Sequence, residues 1–248
     1  MLISRVSAQP LESYLQEHVF APLQIADMSF CALPAARYTN IALRREPPAN
    51  STTPQRCYEY EPVEPWRAVS LPSYGYAAHA PWAHERPETY LGGAGLRGSA
   101  RSYMRILQAL LRHGELDGHR ILEPRSVERM FTPLLKDEPL RAANAFLRLH
   151  TDPFSRNELT GRQEGESSVA TRKNWSVAGA YYEQALESGR NEGAMAWMST
   201  NNLFYVLDPR ADLCFVIWAN TMARGHTPFD ANVYTMWREV ERALYASV

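Results

Sequence analysis

Four short runs of apolar and aromatic residues follow one another near the C-terminal end, and they constrain the fold more than any other feature. The runs cover 177–182, 194–197, 203–207 and 213–218, and each is of strand length. Residues 208–212, with their aspartates and proline, predict a turn between the last two runs. From Asp230 the apolar residues change to helical spacing. The pattern predicts an antiparallel sheet with a C-terminal helix packed on it.

Three segments in the first half of the chain have the spacing and boundary signals of helices. Apolar residues recur at helical intervals from Leu11 to Phe20, after Pro10 and before Pro22. Ser99 is a suitable cap for an amphipathic helix over 100–112. A proline at position 124 opens a shorter helix. Helices beside an antiparallel sheet indicate an α/β protein of the α+β type.

Two segments lack a periodic pattern. Between 34 and 82, eight prolines fall in forty-nine residues, which predicts a long irregular excursion with at most short strands. Residues 151–173 are polar and predict a surface loop. No internal repeat divides the chain, so we expect a single domain over 1–248 with these two insertions.

Composition excludes several classes of function. The chain has 26 basic and 27 acidic residues and no basic run longer than a pair, so no nucleic-acid partner is expected. Cys31, Cys57 and Cys214 do not have the spacing of metal ligands, and we expect neither a metal nor a cofactor. The distribution of apolar residues predicts neither a signal peptide nor a membrane-spanning segment. The expected setting is reduced, without membrane contact, and cytoplasmic.

A series of landmarks in fixed order gives a more specific indication. They are residues 10–15, 20–23, 28–30, 92–96, 99–103, 121–124, 130–133 and 174–175, then Gly179, Gly189, Arg190, Gly193, Trp197, Asn202, Asp208 and Pro209. In this order they resemble the class C β-lactamase-like serine hydrolases, and within them the fungal branch of lovastatin-type transesterases. The resemblance implies a β-lactamase/transpeptidase-like fold with an antiparallel sheet flanked by helices. It also implies acyl-enzyme chemistry: a serine of a Ser-x-x-Lys motif attacks an ester or thioester, assisted by a Tyr-x-Asn tyrosine.

Neither catalytic motif is present in its family position. The two lysines are Lys136 and Lys173, and Pro133 and Ala170 stand three residues before them, so no Ser-x-x-Lys exists in the chain. The literal Tyr-x-Asn match at 38–40 follows the landmarks that it should precede, which marks it as a coincidence. We therefore expect no catalytic residue here. The resemblance implies an N-terminally truncated family domain that lacks the N-terminal strands and the nucleophile helix.

One element of the family's acyl site does fall within the chain. The family strand that carries Lys-Thr-Gly, or Trp-x-Gly in transesterases, aligns with Trp197, Met198 and Ser199, and the N–H of Thr200 is the expected oxyanion donor. These four residues are the expected substrate-binding residues. Ser199 stands where the family has glycine, so its side chain is expected to hinder the substrate. On general grounds a tryptophan in such a strand is more often a core residue of the sheet, and the family resemblance makes the site interpretation of Trp197 about equally favoured.

Three functional hypotheses follow. The first is an acyltransferase or esterase of secondary-metabolite biosynthesis that transfers an acyl group from an ester or thioester to an alcohol or water, inactive as this chain. The second is a pseudoenzyme that binds a metabolite or a partner protein, and the third is a cyclase or isomerase that needs no nucleophile. Without its N-terminal strands the sheet is also expected to have an incomplete edge, which favours self-association or a protein partner.

Overall fold

The computed structural model describes residues 2–31, 42–45, 59–62, 90, 96–142, 173–199, 202–219, 221–222 and 231–248. The chain forms two compact units. The first comprises Met1–Ile41 with Pro62–Glu123, and the second comprises Ala42–Glu61 with Pro124–Val248.

The first unit is mainly helical. Its elements are α1 (Leu2–Ser7), α2 (Leu11–Leu15) continued by a π-helical turn (Gln16–Phe20), α3 (Ala100–Leu111) and a hairpin of β3 (Glu115–Leu116) and β4 (His119–Arg120). The predicted helix over 11–20 is present, with its last turn widened. Helix α1 was not predicted, because none of its residues is buried and it therefore has no core-facing stripe.

Helix α3 begins and ends where its boundary residues predict. The Ser99 hydroxyl accepts a hydrogen bond from the N–H of Ser102 at 3.2 Å, which satisfies an otherwise unpaired donor of the first turn. At the other end Gly114 has a φ of +89°, and a Cβ there would overlap the carbonyl of Leu122. A buried hydrophobic cluster of this unit contains Phe20, Leu23, Ile25, Met28 and Ala109.

The second unit contains two sheets. The smaller has the order β10-β1-β2, formed by β1 (Ala42–Arg45), β2 (Glu59–Pro62) and β10 (Thr221–Met222), with β1 parallel to β10. Within the proline-rich segment between 34 and 82, the structure describes β1 and β2. The rest of that segment, and residues 143–172, which include the polar segment up to 172, lie outside the described residues.

The larger sheet is an antiparallel meander of order β5-β6-β7-β8-β9. Its strands are β5 (Lys173–Ser176), β6 (Gly179–Tyr182), β7 (Met195–Ser199), β8 (Leu203–Asp208) and β9 (Leu213–Trp218). The predicted antiparallel sheet is confirmed. The helices of this unit are α4 (Pro124–Met130), a helical stretch over 137–142 and α5 (Ala231–Tyr245).

The first run of this sheet was predicted incorrectly. We expected one strand over 177–182, whereas Val177 and Ala178 form the turn of a hairpin between β5 and β6. The Ser176 hydroxyl accepts a hydrogen bond from the N–H of Ala178 at 3.0 Å and thereby supports the turn. Lys173, expected to end a loop, begins β5 instead. The two turn residues are an apolar valine and alanine, so these positions carry none of the glycine, asparagine or proline signals that usually indicate a hairpin turn.

One face of the larger sheet is the core of the second unit. Side chains alternate between the two faces, and one face buries Ala196, Met198, Phe204, Val206 and Phe215. The ring of Trp237 in α5 stacks on Phe204 with centroids 4.8 Å apart. Helix α5 therefore packs on this face, as predicted, although Met236 and Val240 of its expected apolar stripe are exposed.

Candidate functional site

Strand β7 carries the predicted site residues, and the alternation of its side chains separates them. Trp197 lies on the face away from the core, opposite Tyr205 in the antiparallel register, and is 38% exposed. Met198 points to the other face and is buried in the core cluster. Ser199 ends the strand and pairs with Leu203, but its side chain lies outside the described residues, as does all of Thr200. Among the predicted site residues whose side chains the structure describes, Trp197 is therefore the one that is accessible to a ligand.

Two aromatic residues that sequence reasoning did not assign to the site lie next to Trp197. The ring of Trp175, in β5, meets that of Trp197 edge to face, with centroids 4.8 Å apart and an interplanar angle of 63°. Tyr205 is the cross-strand neighbour, and its hydroxyl donates a hydrogen bond of 2.6 Å to the carbonyl of Ala178. A Cβ on Gly179 would stand 2.8 Å from that hydroxyl, so glycine leaves room for it. Trp175 and Tyr205 are therefore aromatic neighbours of Trp197, the first by ring contact and the second by strand pairing.

Strand β5 is held in place from its outer side. The N–H of Leu134 donates to the carbonyl of Trp175 at 2.8 Å. The side-chain amide of Asn174 accepts from the N–H of Leu135 at 2.8 Å and donates to its carbonyl at 2.9 Å. The same amide donates to Glu183 at 2.7 Å. These bonds fix the backbone that presents Trp175. Asn174 and Trp175 are landmarks of the sequence, but their structural role depends on these contacts with distant residues.

A buried carboxylate lies at the end of β8. Asp208 is fully buried and accepts hydrogen bonds from the N–H and side-chain amide of Asn191, at 2.9 and 3.1 Å, and from the hydroxyl of Tyr245 at 2.7 Å. Its other oxygen accepts from the amides of Arg210 and Ala211. Burial, and then the hydrogen bond to Asp208, raise the pKa of Tyr245, so this tyrosine remains a neutral donor. The group joins a turn, a loop and α5, which is a structural role.

A second buried polar group joins α5 to the sheet. The guanidinium of Arg190 donates to the carboxylate of Glu241 at 2.7 Å, and both side chains are buried. The guanidinium carbon lies 4.5 Å from the ring centre of Tyr182 and 5.3 Å from that of Trp237. Because both charges are enclosed by the core, this ion pair also holds elements together and does not face a ligand.

The described residues supply neither a nucleophile–base pair of the family type nor a metal centre. Lys173 lies buried in β5 with its ammonium 5.2 Å from the ring centre of Tyr182. In the part of the chain that the structure describes, no three His, Cys, Asp or Glu side chains are grouped so that they could hold a metal ion. No helix among the described residues has the length and apolarity that crossing a membrane requires. The 38–40 match to Tyr-x-Asn lies outside these residues.

Comparison with known proteins assigns the family. A family model described as Beta-lactamase matches residues 1–235. The chain belongs to the β-lactamase family. It is similar to monacolin J acid methylbutanoyltransferase of Aspergillus terreus, with 24% identity over 247 residues that cover 96% of this chain and 52% of that protein. It is also similar to ML-236A carboxylate methylbutanoyltransferase of Penicillium citrinum, with 23% identity over 255 residues, 100% of this chain and 51% of that protein.

Solved structures agree with this assignment. Simvastatin synthase from Aspergillus terreus, as the LovD6 mutant, matches with a TM-score of 0.71 and 25% identity over 99% of this chain and 52% of that one. EstCE1, a hydrolase with promiscuous acyltransferase activity, matches with a TM-score of 0.62 and 17% identity over 97% of this chain and 53% of that one, which shows the fold alone. The predicted β-lactamase-like fold and the resemblance to the fungal branch are confirmed. The chain spans about half the length of the relatives that it matches.

Proposed function

We propose that this chain carries one wall of the acyl site of a β-lactamase-family acyltransferase of secondary metabolism, and that it binds an acyl ester or thioester without forming an acyl-enzyme. The observation that carries the proposal is the position of Trp197, which lies partly exposed on the non-core face of β7 and not in the core of the sheet. An exposed aromatic surface next to a second indole is suited to an apolar acyl group. The matched relatives, which are named as methylbutanoyltransferases, support the same chemical class.

The covalent step needs groups that these 248 residues do not provide. In the family chemistry, a lysine three positions after the serine helps to remove its proton. Ser102 and Ser126 have Arg105 and Arg129 at that spacing, but a guanidinium remains protonated at any working pH and cannot act as the base. Transfer of the acyl group to an alcohol or water through a serine ester is therefore not expected from this chain by itself.

Intact-mass analysis tests the covalent part of the proposal. After incubation with a fluorophosphonate or an activated ester, we expect the mass of the purified chain to be unchanged. A matched serine esterase with the complete motif serves as the control that the probe is reactive. Stoichiometric labelling of one serine would show that another base activates it, and the proposed absence of an acyl-enzyme would be wrong.

Calorimetric titration tests the binding part. We expect Trp197→Ala to weaken the binding of a short acyl thioester by about 1 kcal/mol or more, because apolar contact area is lost. We expect Ser199→Gly to strengthen it, since the resemblance implies glycine at this position and the substitution removes a side chain that we expect to hinder the ligand. Met236→Ala, at an exposed apolar residue of α5, is the control and should bind like the wild type. Equal affinities for all four proteins, or no binding by any of them, would refute the acyl site.

A further inference from the structure

Trp175 limits one side of the exposed indole of Trp197. The two rings belong to strands that are not neighbours in the sheet, because β6 lies between β5 and β7. Their ring centroids are nevertheless 4.8 Å apart, in an edge-to-face arrangement. An apolar chain that extends over Trp197 toward β5 therefore meets the edge of a second large, rigid ring.

The backbone that presents Trp175 is held independently of its indole. The hydrogen bonds from Leu134 and Asn174 fasten β5 to the 134–135 segment on its outer side. On the other side β5 pairs with β6 over its whole length. Because these bonds involve the backbone and a neighbouring amide, loss of the indole leaves the strand in place. The space that it vacated would then open beside Trp197.

The turn of the same hairpin is fixed as well. The hydroxyl of Tyr205 holds the carbonyl of Ala178 at 2.6 Å, and Gly179 leaves room for the phenol. Val177 lies at the tip of the hairpin and is 68% exposed. The hairpin is thus anchored at its turn and along its outer strand, and Trp175 is its large aromatic side chain in contact with Trp197.

We propose that Trp175 is a specificity-determining residue that sets the length of the acyl group accommodated on Trp197. The proposal rests on the acyl-binding function given above. The ligand class is a saturated acyl thioester. A short acyl chain lies on the Trp197 indole, whereas the methylenes of a longer chain meet the Trp175 edge and stay in water. Each methylene that is buried contributes about fourfold in affinity, so the limit appears as a break in the series.

A titration series with acyl thioesters of N-acetylcysteamine tests the proposal. Acetyl, butanoyl, hexanoyl and octanoyl thioesters are titrated into the wild type, Trp175→Ala, Trp175→Phe and the control Met236→Ala. For the wild type and the control, we expect affinity to rise with length and then level off. For Trp175→Ala, we expect severalfold weaker binding of the short esters and a continued rise through octanoyl. Trp175→Phe, which keeps a smaller ring, should level off at an intermediate length.

The outcomes distinguish this inference from the function on which it rests. If the wild type binds the thioesters but all four proteins show the same dependence on length, Trp175 does not set the limit and the inference is refuted alone. If no protein binds any thioester, the acyl site itself is refuted, together with the inference. Circular dichroism of the coupled indoles reports whether the pair is present in the wild type and lost in Trp175→Ala. If Trp175→Ala does not fold, the Trp175→Phe series decides the question.

Discussion

Gly189 has a φ of +104°, and a methyl group there would overlap the side chain of Tyr245. In this position a Cβ has two separate costs, the strain of the left-handed backbone and the displacement of a side chain that holds Asp208. We expect Gly189→Ala to lower the free energy of unfolding by about 2–4 kcal/mol, measured by urea denaturation.

Gly193 provides the matched control at the residue scale. It lies in the same loop with a φ of +92°, but a Cβ there would have its nearest neighbour at 3.7 Å, in ordinary contact with the hydroxyl of Tyr181. Gly193→Ala should therefore show the backbone strain alone, about 1–2 kcal/mol. Equal losses for the two variants would mean that the overlap with Tyr245 is relieved without cost.

At the scale of elements, the buried pair of Arg190 and Glu241 joins α5 to the larger sheet. In Glu241→Gln the guanidinium would remain buried without its countercharge, and we expect a loss of about 3–5 kcal/mol in urea denaturation. The double variant Arg190→Met with Glu241→Leu removes both charges and keeps the volume. We expect it to recover most of the loss. Failure of the double variant to recover, with the fold retained, would show that the pair also contributes through its contacts with Tyr182 and Trp237.

Helix α3 makes a prediction about alkaline pH. Burial raises the pKa of Tyr103 to about 12 from its usual 10.0, because the phenolate is poorly solvated in that position. The stabilising contribution of the neutral phenol is complete below pH 10.0 and is lost as the pH rises through about 12. We expect the free energy of unfolding to fall by up to about 1.4 kcal/mol per pH unit in this window.

Tyr103→Phe is the control, because it removes the ionisable hydroxyl and keeps the ring. The difference in unfolding free energy between the wild type and Tyr103→Phe should shift in favour of the variant between pH 10.0 and about 12. This difference also cancels the contribution of Tyr245, which is shifted in the same direction. A difference that does not change with pH would mean that Tyr103 titrates normally.

At the scale of the whole molecule, the order of the strands predicts self-association. Strand β5 is bonded on its outer side by Leu134, whereas β9 is the last strand of its sheet among the described residues, with β8 as its one neighbour there. A strand at the end of a sheet is a template for pairing with another chain. We propose that the chain dimerises or binds a protein partner through β9. Light scattering at protein concentrations on the order of tens of micromolar should show species larger than the monomer.

Two variants separate this edge from another apolar surface. Val216→Lys places a charge on β9 and should reduce the association. Leu2→Ser with Val6→Ser removes apolar side chains of α1 that are 76% and 81% exposed, and should leave the association unchanged. A monodisperse wild-type monomer that unfolds reversibly would refute the prediction, and loss of association in the α1 variant alone would assign it to that helix.

Local patterns determined a large part of this protein. The apolar runs located β8 and β9, Ser99 marked the start of α3, and the order of landmarks indicated the family that the comparisons confirm. These signals act between residues that are close in sequence, such as a cap three residues from its donor or side chains that alternate along one strand. The sequence alone likewise establishes that these 248 residues contain no Ser-x-x-Lys motif.

The tertiary structure decided what depends on pairing between distant residues. The split of 177–182 into a turn and a strand follows from Ser176 and from the register of β5 on β6. Trp197 lies on the face opposite to the one that α5 covers, and its ring contacts that of Trp175 although β6 lies between their strands. The alternation of residues along the strand could not show whether Trp197 belongs to the core of the sheet or to a ligand site. Both faces of β7 carry large apolar side chains, and Met195 is fully buried on the same face on which Trp197 is 38% exposed, so only the tertiary packing around each position determines which side chain is buried.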